Sequence, residues 1–205
     1  MNDDELLEPE LDQAQRHYLI SRWSEPQRRY HTVEHLRRVL ESLRELQDSS
    51  VEFDVVPVRL AAWFHDAVYD IPGHDNEIRS AELASTMLAG HGSAGEVTRL
   101  VRITATHHVT PGDRNAAALC DADLSILGAA PADYARYTQQ VREEYASVPD
   151  EYFRPGRADV LRGLLNQQSI FHTGYGHKRW EERARRNVTD EIVELEPERG
   201  ETFER

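Results

Sequence analysis

The sequence of 205 residues predicts an all-α protein, a single-domain irregular helical bundle. Three observations predict it. Apolar residues recur at steps of three and four along most of the chain, the period of a helix with one buried face. Proline and glycine clusters cut this pattern into pieces of helical length. No convincing pair of segments alternates apolar and polar residues as two paired strands would.

An opening helix is expected over residues 10–23. In 33–46, Val33, Leu36, Leu40, Leu43 and Leu46 share one face. Residues 55–69 are the most apolar stretch, with Leu60, Ala61, Ala62, Trp63, Phe64, Ala67 and Val68. That composition predicts a buried helix with Pro57 in its first turn, where a missing N–H costs nothing. Pro72-Gly73 ends it, and a helix over 75–89 runs into Gly90-His91-Gly92. Further helices are expected over 94–107, 115–127, 131–147, 157–169 and 176–195. Pro111-Gly112, the stretch Gly128 to Pro131, Pro149 and Pro155-Gly156 separate them. There is no internal repeat and no linker.

Charge narrows the function. The chain carries 24 basic and 37 acidic residues, a net charge of −13, which argues against a nucleic-acid polymer or an anionic membrane as partner. Residues 1–12 hold six acids and no base, and 190–205 hold seven acids and two arginines. The body between them is close to neutral, at −2. The expected layout is an acidic tail over 1–12, a single domain over 13–195 and an acidic tail over 196–205. A small phosphate ester therefore remains an acceptable ligand.

The lone Cys120 rules out an internal disulfide, fits a reducing cytoplasm and reads as a small buried residue. No apolar run reaches the length of a bilayer span, and the acidic N-terminus is unlike a signal peptide. Lys178 is the only lysine, so no Walker lysine exists. GHGSAG at 90–95 matches a dinucleotide-loop pattern but follows a helical segment, so it reads as a helix–helix connection. The sequon Asn187-Val188-Thr189 stands without any other sign of secretion.

What remains is a set of histidines and aspartates. His31 and His35 lie four apart in YHTVEH, one face of a helix. His65-Asp66 follows Trp63-Phe64, His107 and His108 are adjacent, and Asp121 and Asp123 flank Ala122. A second His-Asp pair, His74-Asp75, follows the Pro-Gly break and reads as a surface helix cap. His65-Asp66 differs because it sits in the most apolar stretch. Burying both groups there costs several kcal/mol unless they pair with each other or hold a metal. Both readings fit the pair taken alone.

The order of the motifs resembles the HD superfamily of metal-dependent phosphohydrolases, in which a histidine, a His-Asp pair and a later aspartate act together. The runs YHTVEHLRRVL, AAWFHDAVYD, DNEIRSAELA, ITATHH and LCDADLSILGA are similar to the small bacterial members of that superfamily. So are VREEY, FRPGR and ERARRNV, and the resemblance covers roughly residues 15–195. It implies an HD-type helical fold and one divalent transition metal (Mn, Fe, Co, Ni or Zn) per chain. The implied ligands are His35, His65, Asp66 and Asp121, with Asp123 as the alternative register. Two imidazoles suit those metals better than Mg²⁺.

Further roles follow from the same resemblance. Asp70 lies one turn after Asp66 in HDAVYD and would orient or deprotonate the attacking water; Tyr69 stands where alarmone hydrolases carry a glutamate. Glu77, beside Asn76 in DNE, is a second catalytic candidate. His31, His107, His108 and Arg157 are expected to contact substrate, Arg157 from beside Pro155-Gly156. The implied activity is hydrolysis of a phosphate ester of a small metabolite, a nucleotide being the candidate. A di-iron oxygenase and a non-catalytic binding protein are the alternatives. The implied partner is that small phosphorylated substrate, and a homodimer is compatible with it.

Overall fold

The apolar stripe of residues 33–46 becomes helix α2 (Val33–Asp48), started by Thr32, whose hydroxyl accepts from the Glu34 amide. The computed structural model describes residues 8–71, 73 and 75–196. Around α2 are α1 (Gln13–Trp23), α3 (Val55–Phe64), α4 (Asn76–Met87), α5 (Ala94–Ile103) and α6 (Arg114–Asp123). A 3₁₀ helix (Leu124–Gly128) follows, then α7 (Pro131–Glu144), α8 (Asp150–Leu165) and α9 (Gly174–Leu195). No strand occurs among the described residues, so the fold is all-α as expected. No described helix is long and apolar enough to cross a membrane.

Helices α2, α3 and α6 pack against one another, α5 covers α3 and α4, and α9 lies on the 3₁₀ helix and α8. Trp23, Leu36, Leu43, Trp63, Phe64, Leu100 and Leu119 are fully buried in the shared core. Burial of each such side chain stabilises by roughly 1.5–3 kcal/mol. GHGSAG is the α4–α5 connection, with Gly90 at φ +87, the left-handed region a glycine enters freely. Asn187 is buried, its amide donating to the carbonyls of Leu127 and Ala129. Cys120 is buried too.

Several boundaries differ from the periodicity, for identifiable reasons. Helix α3 stops at Phe64 rather than 69, so His65 and Asp66 sit in the turn after it. The buried Arg28 takes the Asp66 and Ala67 carbonyls (2.8 and 3.2 Å), and Arg22 also takes Ala67 (3.0 Å). Those carbonyls are thereby lost to a helical ladder. Helix α5 ends at Ile103, short of 107, and His107 adopts φ +50, in the left-handed region few non-glycine residues enter. Helix α6 tightens into the 3₁₀ helix after Asp123.

Pro155 and Gly156 do not end a helix but lie inside α8. Both face solvent, where water can satisfy the carbonyl left without a donor, while Ala158 and Leu161 pack inward. At the N-terminus, Glu8 and Leu11 are buried, Glu8 paired with Arg59 at 3.0 Å, and Asp12 caps α1. Residues 8–12 are thus docked rather than a solvated acidic tail. Asp75 occupies the N-cap position of α4 but makes no capping bond. His74, residues 1–7 and residues 197–205 lie outside the described residues.

One packing contact gives a direct stability test. A Cβ at Gly128 would come within 2.6 Å of Trp180 Cβ and 2.9 Å of its Cα, so α9 would have to move. Gly128→Ala is expected to destabilise the chain by about 2–3 kcal/mol, the cost of overpacking a closed contact. Thermal melting of the purified variant checks this.

Candidate metal centre

His35 lies in the first turn of α2 and His65 in the turn after α3, and the packing of these helices brings their Nε2 atoms to 3.2 Å. Asp66 Oδ2 is 3.3 Å from His65 Nε2 and 3.8 Å from His35 Nε2. One donor atom from each of these three residues lies within 4.8 Å of the others. The last residue of α6 completes the group: Asp123 Oδ1 is 3.1 Å from His35 Nε2 and 3.5 Å from His65 Nε2. Its second oxygen, Oδ2, is held at 2.8 Å by His107 Nε2.

Orientation is set from behind. His65 Nδ1 lies 2.8 Å from the Ala62 carbonyl, which turns Nε2 inward, whereas His35 Nδ1 is buried without a partner. The rings of Trp23 and Tyr30 wall the imidazoles, Trp23 centred 5.4 Å from His65 and Tyr30 4.9 Å from His35. Burial disfavours the charged form of both histidines. For His65 the charges of Asp66 and Asp123 outweigh this and hold its pKa well above the ordinary value. His35 stays below its ordinary value because burial wins over Asp123. Burial raises both carboxyls, yet the His65 charge and histidine hydrogen bonds hold Asp66 and Asp123 low. Two imidazoles and two ionised carboxylates converging in a buried space form a donor set suited to a divalent transition metal.

Asp121 does not join the group. Two residues before Asp123, it leaves α6 on nearly the opposite side. Its Oδ1 accepts from the His172 amide (2.7 Å), and Oδ2 accepts from the Thr173 amide (2.9 Å) and hydroxyl (2.7 Å). It fastens the start of α9 and lies close against Gly176. Burial pushes its carboxyl up to about 6, against those three donors. The register with Asp123 is the one that reaches the two histidines.

His31 points its two nitrogens in different directions. Nδ1 lies 2.6 Å from Glu144 Oε2, and Nε2 faces Asp66 Oδ2 at 3.9 Å. Tyr69 stacks on the ring, with centroids 4.1 Å apart. Glu144 is buried at the end of α7, and its Oε1 accepts from the amides of Arg29, Tyr30 and His31 at 2.8, 3.2 and 3.1 Å. Burial pushes Glu144 up, but the bond and charge of His31 and these amides hold it below its ordinary value.

Other expected residues lie elsewhere. Asp70 is exposed and paired with Arg79 at 2.5 Å, while Asn76 bonds both its amide and carbonyl. Glu77 is half-buried in the first turn of α4 and, among the described residues, makes no hydrogen bond or ion pair with His35, His65, Asp66 or Asp123. His108 is exposed. Arg157, expected in a loop, is inside α8 and bonded to Glu191 and the Tyr137 hydroxyl at 2.8 Å each. It braces α7, α8 and α9 rather than presenting a free guanidinium.

Two residues escaped the sequence reading. Glu144 continues the buried α7 stripe of Tyr134, Tyr137 and Val141, and a carboxylate on an apolar stripe was the available signal. Arg28 is buried and bonds the carbonyls of His31, Asp66 and Ala67, tying the two site-bearing loops together; nothing in its local sequence separates it from Arg29. Comparison with known proteins adds one match: a family model described as HD domain fits residues 32–142. No curated protein and no solved structure matches the chain.

Proposed function

Because the chain belongs to the HD-domain family, we propose that it hydrolyses a phosphate ester of a small metabolite, using a divalent transition metal held by His35, His65, Asp66 and Asp123. A nucleotide is the substrate we favour. The observation carrying this reading is the convergence of four donors from α2, the α3 turn and α6, with Asp123 Oδ1 3.1 Å from His35. The family is a superfamily of metal-dependent phosphohydrolases, and the cluster agrees with its chemistry. When bound, the ion stabilises charge building on the phosphoryl oxygens and lowers the pKa of a neighbouring water.

The chain's own residues do the rest. Trp23 and Tyr30 keep bulk water from the imidazoles, so charges near them act in a low dielectric. His107 fixes the carboxylate of Asp123 through its second oxygen. Arg28 holds the Asp66 turn against the His31 loop. His31 presents Nε2 toward the reacting phosphate and donates a proton to the leaving oxygen, while ionised Glu144 holds Nδ1. Asp70, engaged by Arg79 at the surface, is not assigned this role.

The test is direct. Purified chain loaded with Mn²⁺, Fe²⁺, Co²⁺, Ni²⁺ or Zn²⁺ is expected to retain about one ion and release phosphate from a panel of phosphate esters. His65→Ala and Asp66→Ala are each expected to lose both properties, by elemental analysis and phosphate assay. Phosphate release by a metal-free double variant would sink the proposal.

A further inference from the structure

A histidine that holds a metal through one ring nitrogen is ordinarily aimed by a hydrogen bond at the other. His65 has that bond, its Nδ1 lying 2.8 Å from the Ala62 carbonyl three residues back. His35 lacks it: its Nδ1 is buried and makes no hydrogen bond among the described residues. The local sequence explains the difference. His35 is the third residue of α2, so the carbonyls three and four positions back belong to Thr32 and His31, outside the helix proper. The Thr32 carbonyl already accepts from the Leu36 amide (3.2 Å), and the His31 carbonyl from Arg28 Nη1 (2.9 Å).

A ring faces His35 instead. Tyr30 is buried, its centre 4.9 Å from that of His35 with the planes 41° apart, within the spacing at which aromatic pairs attract. Trp23 is farther from His35, at 6.0 Å, and closer to His65. Tyr30 is itself held: its amide donates to Glu144 Oε1 (3.2 Å), and Tyr137 meets its ring edge-on at 4.6 Å. Tyr137 is fastened in turn. Its hydroxyl accepts from Arg157 Nη2 (2.8 Å), and the guanidinium lies 5.2 Å from its ring centre. Glu191 fixes that guanidinium at 2.8 Å and also accepts from the Tyr134 hydroxyl. A buried ion pair of this kind adds little stability over apolar packing, but it sets geometry.

We infer that Tyr30 is the positioning residue for His35, its ring aiming the imidazole in place of the missing bond, and that Arg157 braces this ring through Tyr137. The inference rests on the proposed metal centre and deepens it. The two histidines are then aimed by different physics. His65 is tied to a backbone carbonyl, while His35 is wedged by a ring whose support comes from α7, α8 and α9. Arg157 serves the centre from two rings away, without touching substrate.

Chelator competition with Co²⁺ on the full chain tests this, together with the visible absorption of the bound ion, which reports its ligand geometry. Tyr30→Leu is expected to bind Co²⁺ about 10–100-fold more weakly, the range for losing an outer partner of a ligand, with an altered spectrum. Tyr30→Phe keeps the ring and should restore wild-type affinity and spectrum. If Tyr30→Leu does not fold, Tyr30→Met fills the gap without a rigid face and carries the same expectation. The double variant Arg157→Met, Glu191→Gln removes the brace without stranding a charge. It should weaken Co²⁺ binding in the wild-type background and add nothing when Tyr30→Leu is already present. Wild-type affinity and spectrum in folded Tyr30→Leu or Tyr30→Met overturn the inference, as does Tyr30→Phe binding as weakly as they do. Additive losses overturn the brace. A wild-type chain that retains no Co²⁺ overturns the metal centre beneath, and that result is distinct from all the others.

Discussion

Asp123→Ala is expected to leave a folded chain that no longer retains a divalent metal, whereas Asp121→Ala should retain the metal and lose stability. The two residues are two positions apart on α6 and do opposite jobs. Asp123 gives one oxygen to the His35–His65 pair and the other to His107. Removing a ligand should weaken metal binding by more than about 100-fold, since losing even an outer partner costs roughly 10–100-fold. Asp121 instead satisfies two amides and a hydroxyl at the start of α9. Its removal strands these buried donors, at roughly 1–3 kcal/mol each before water enters. A net loss of about 3 kcal/mol would lower Tm by roughly 10 °C for a chain of this size. Metal content by elemental analysis and melting by calorimetry separate the pair. Metal loss in Asp121→Ala with Asp123→Ala fully loaded would reverse the assignment.

The second large effect concerns His31. His31→Ala is expected to lower kcat by about 10²–10⁴ while metal content stays at the wild-type level, the range for losing a placed proton donor. Glu144→Gln should fall between, because it leaves the ring in place without the ionised partner on Nδ1. Stability supplies an independent readout. The Glu144 carboxyl is held below its ordinary value in the fold, so its contribution is present above the unfolded pKa and lost as pH falls through the folded one. Wild type should therefore exceed Glu144→Gln in Tm at neutral pH, by an amount worth about 2 kcal/mol. That gap should close as pH drops below the ordinary glutamate range. Melting curves between neutral and acid pH check it, and a gap constant with pH would refute the ionised pairing.

Much of this architecture could be read from residue spacing, because the α2 stripe and the apolar run before His65 each bury a continuous face. The polar groups that close that run, His65 and Asp66, lie together with His35 in the fold. What escaped was set by partners distant in sequence. Helix α3 ends early because Arg28 and Arg22, some 40 positions away, take its next carbonyls. Asp121 and Asp123 both belong to one helix, and only the location of α9 decides which of them faces inward. Arg157 looked exposed beside a Pro-Gly pair, but that pair faces solvent within α8 while the guanidinium turns to Glu191. Glu144 is more than 100 residues from His31, and no local pattern links them.

The extent of the family match now takes on a meaning of its own. Residues 32–142 contain His35, His65, Asp66 and Asp123, the four residues proposed to hold the metal. Arg28, Tyr30 and His31 lie just before that stretch, and Glu144 lies just beyond it. The matched stretch thus holds all four proposed ligands, while His31 and Glu144, to which the proposed proton donation is assigned, lie on its two flanks. These flanks meet in space, since three amides from the first close onto one carboxylate from the second. A fragment trimmed to the matched boundaries would keep every proposed metal donor and lose both halves of that clasp.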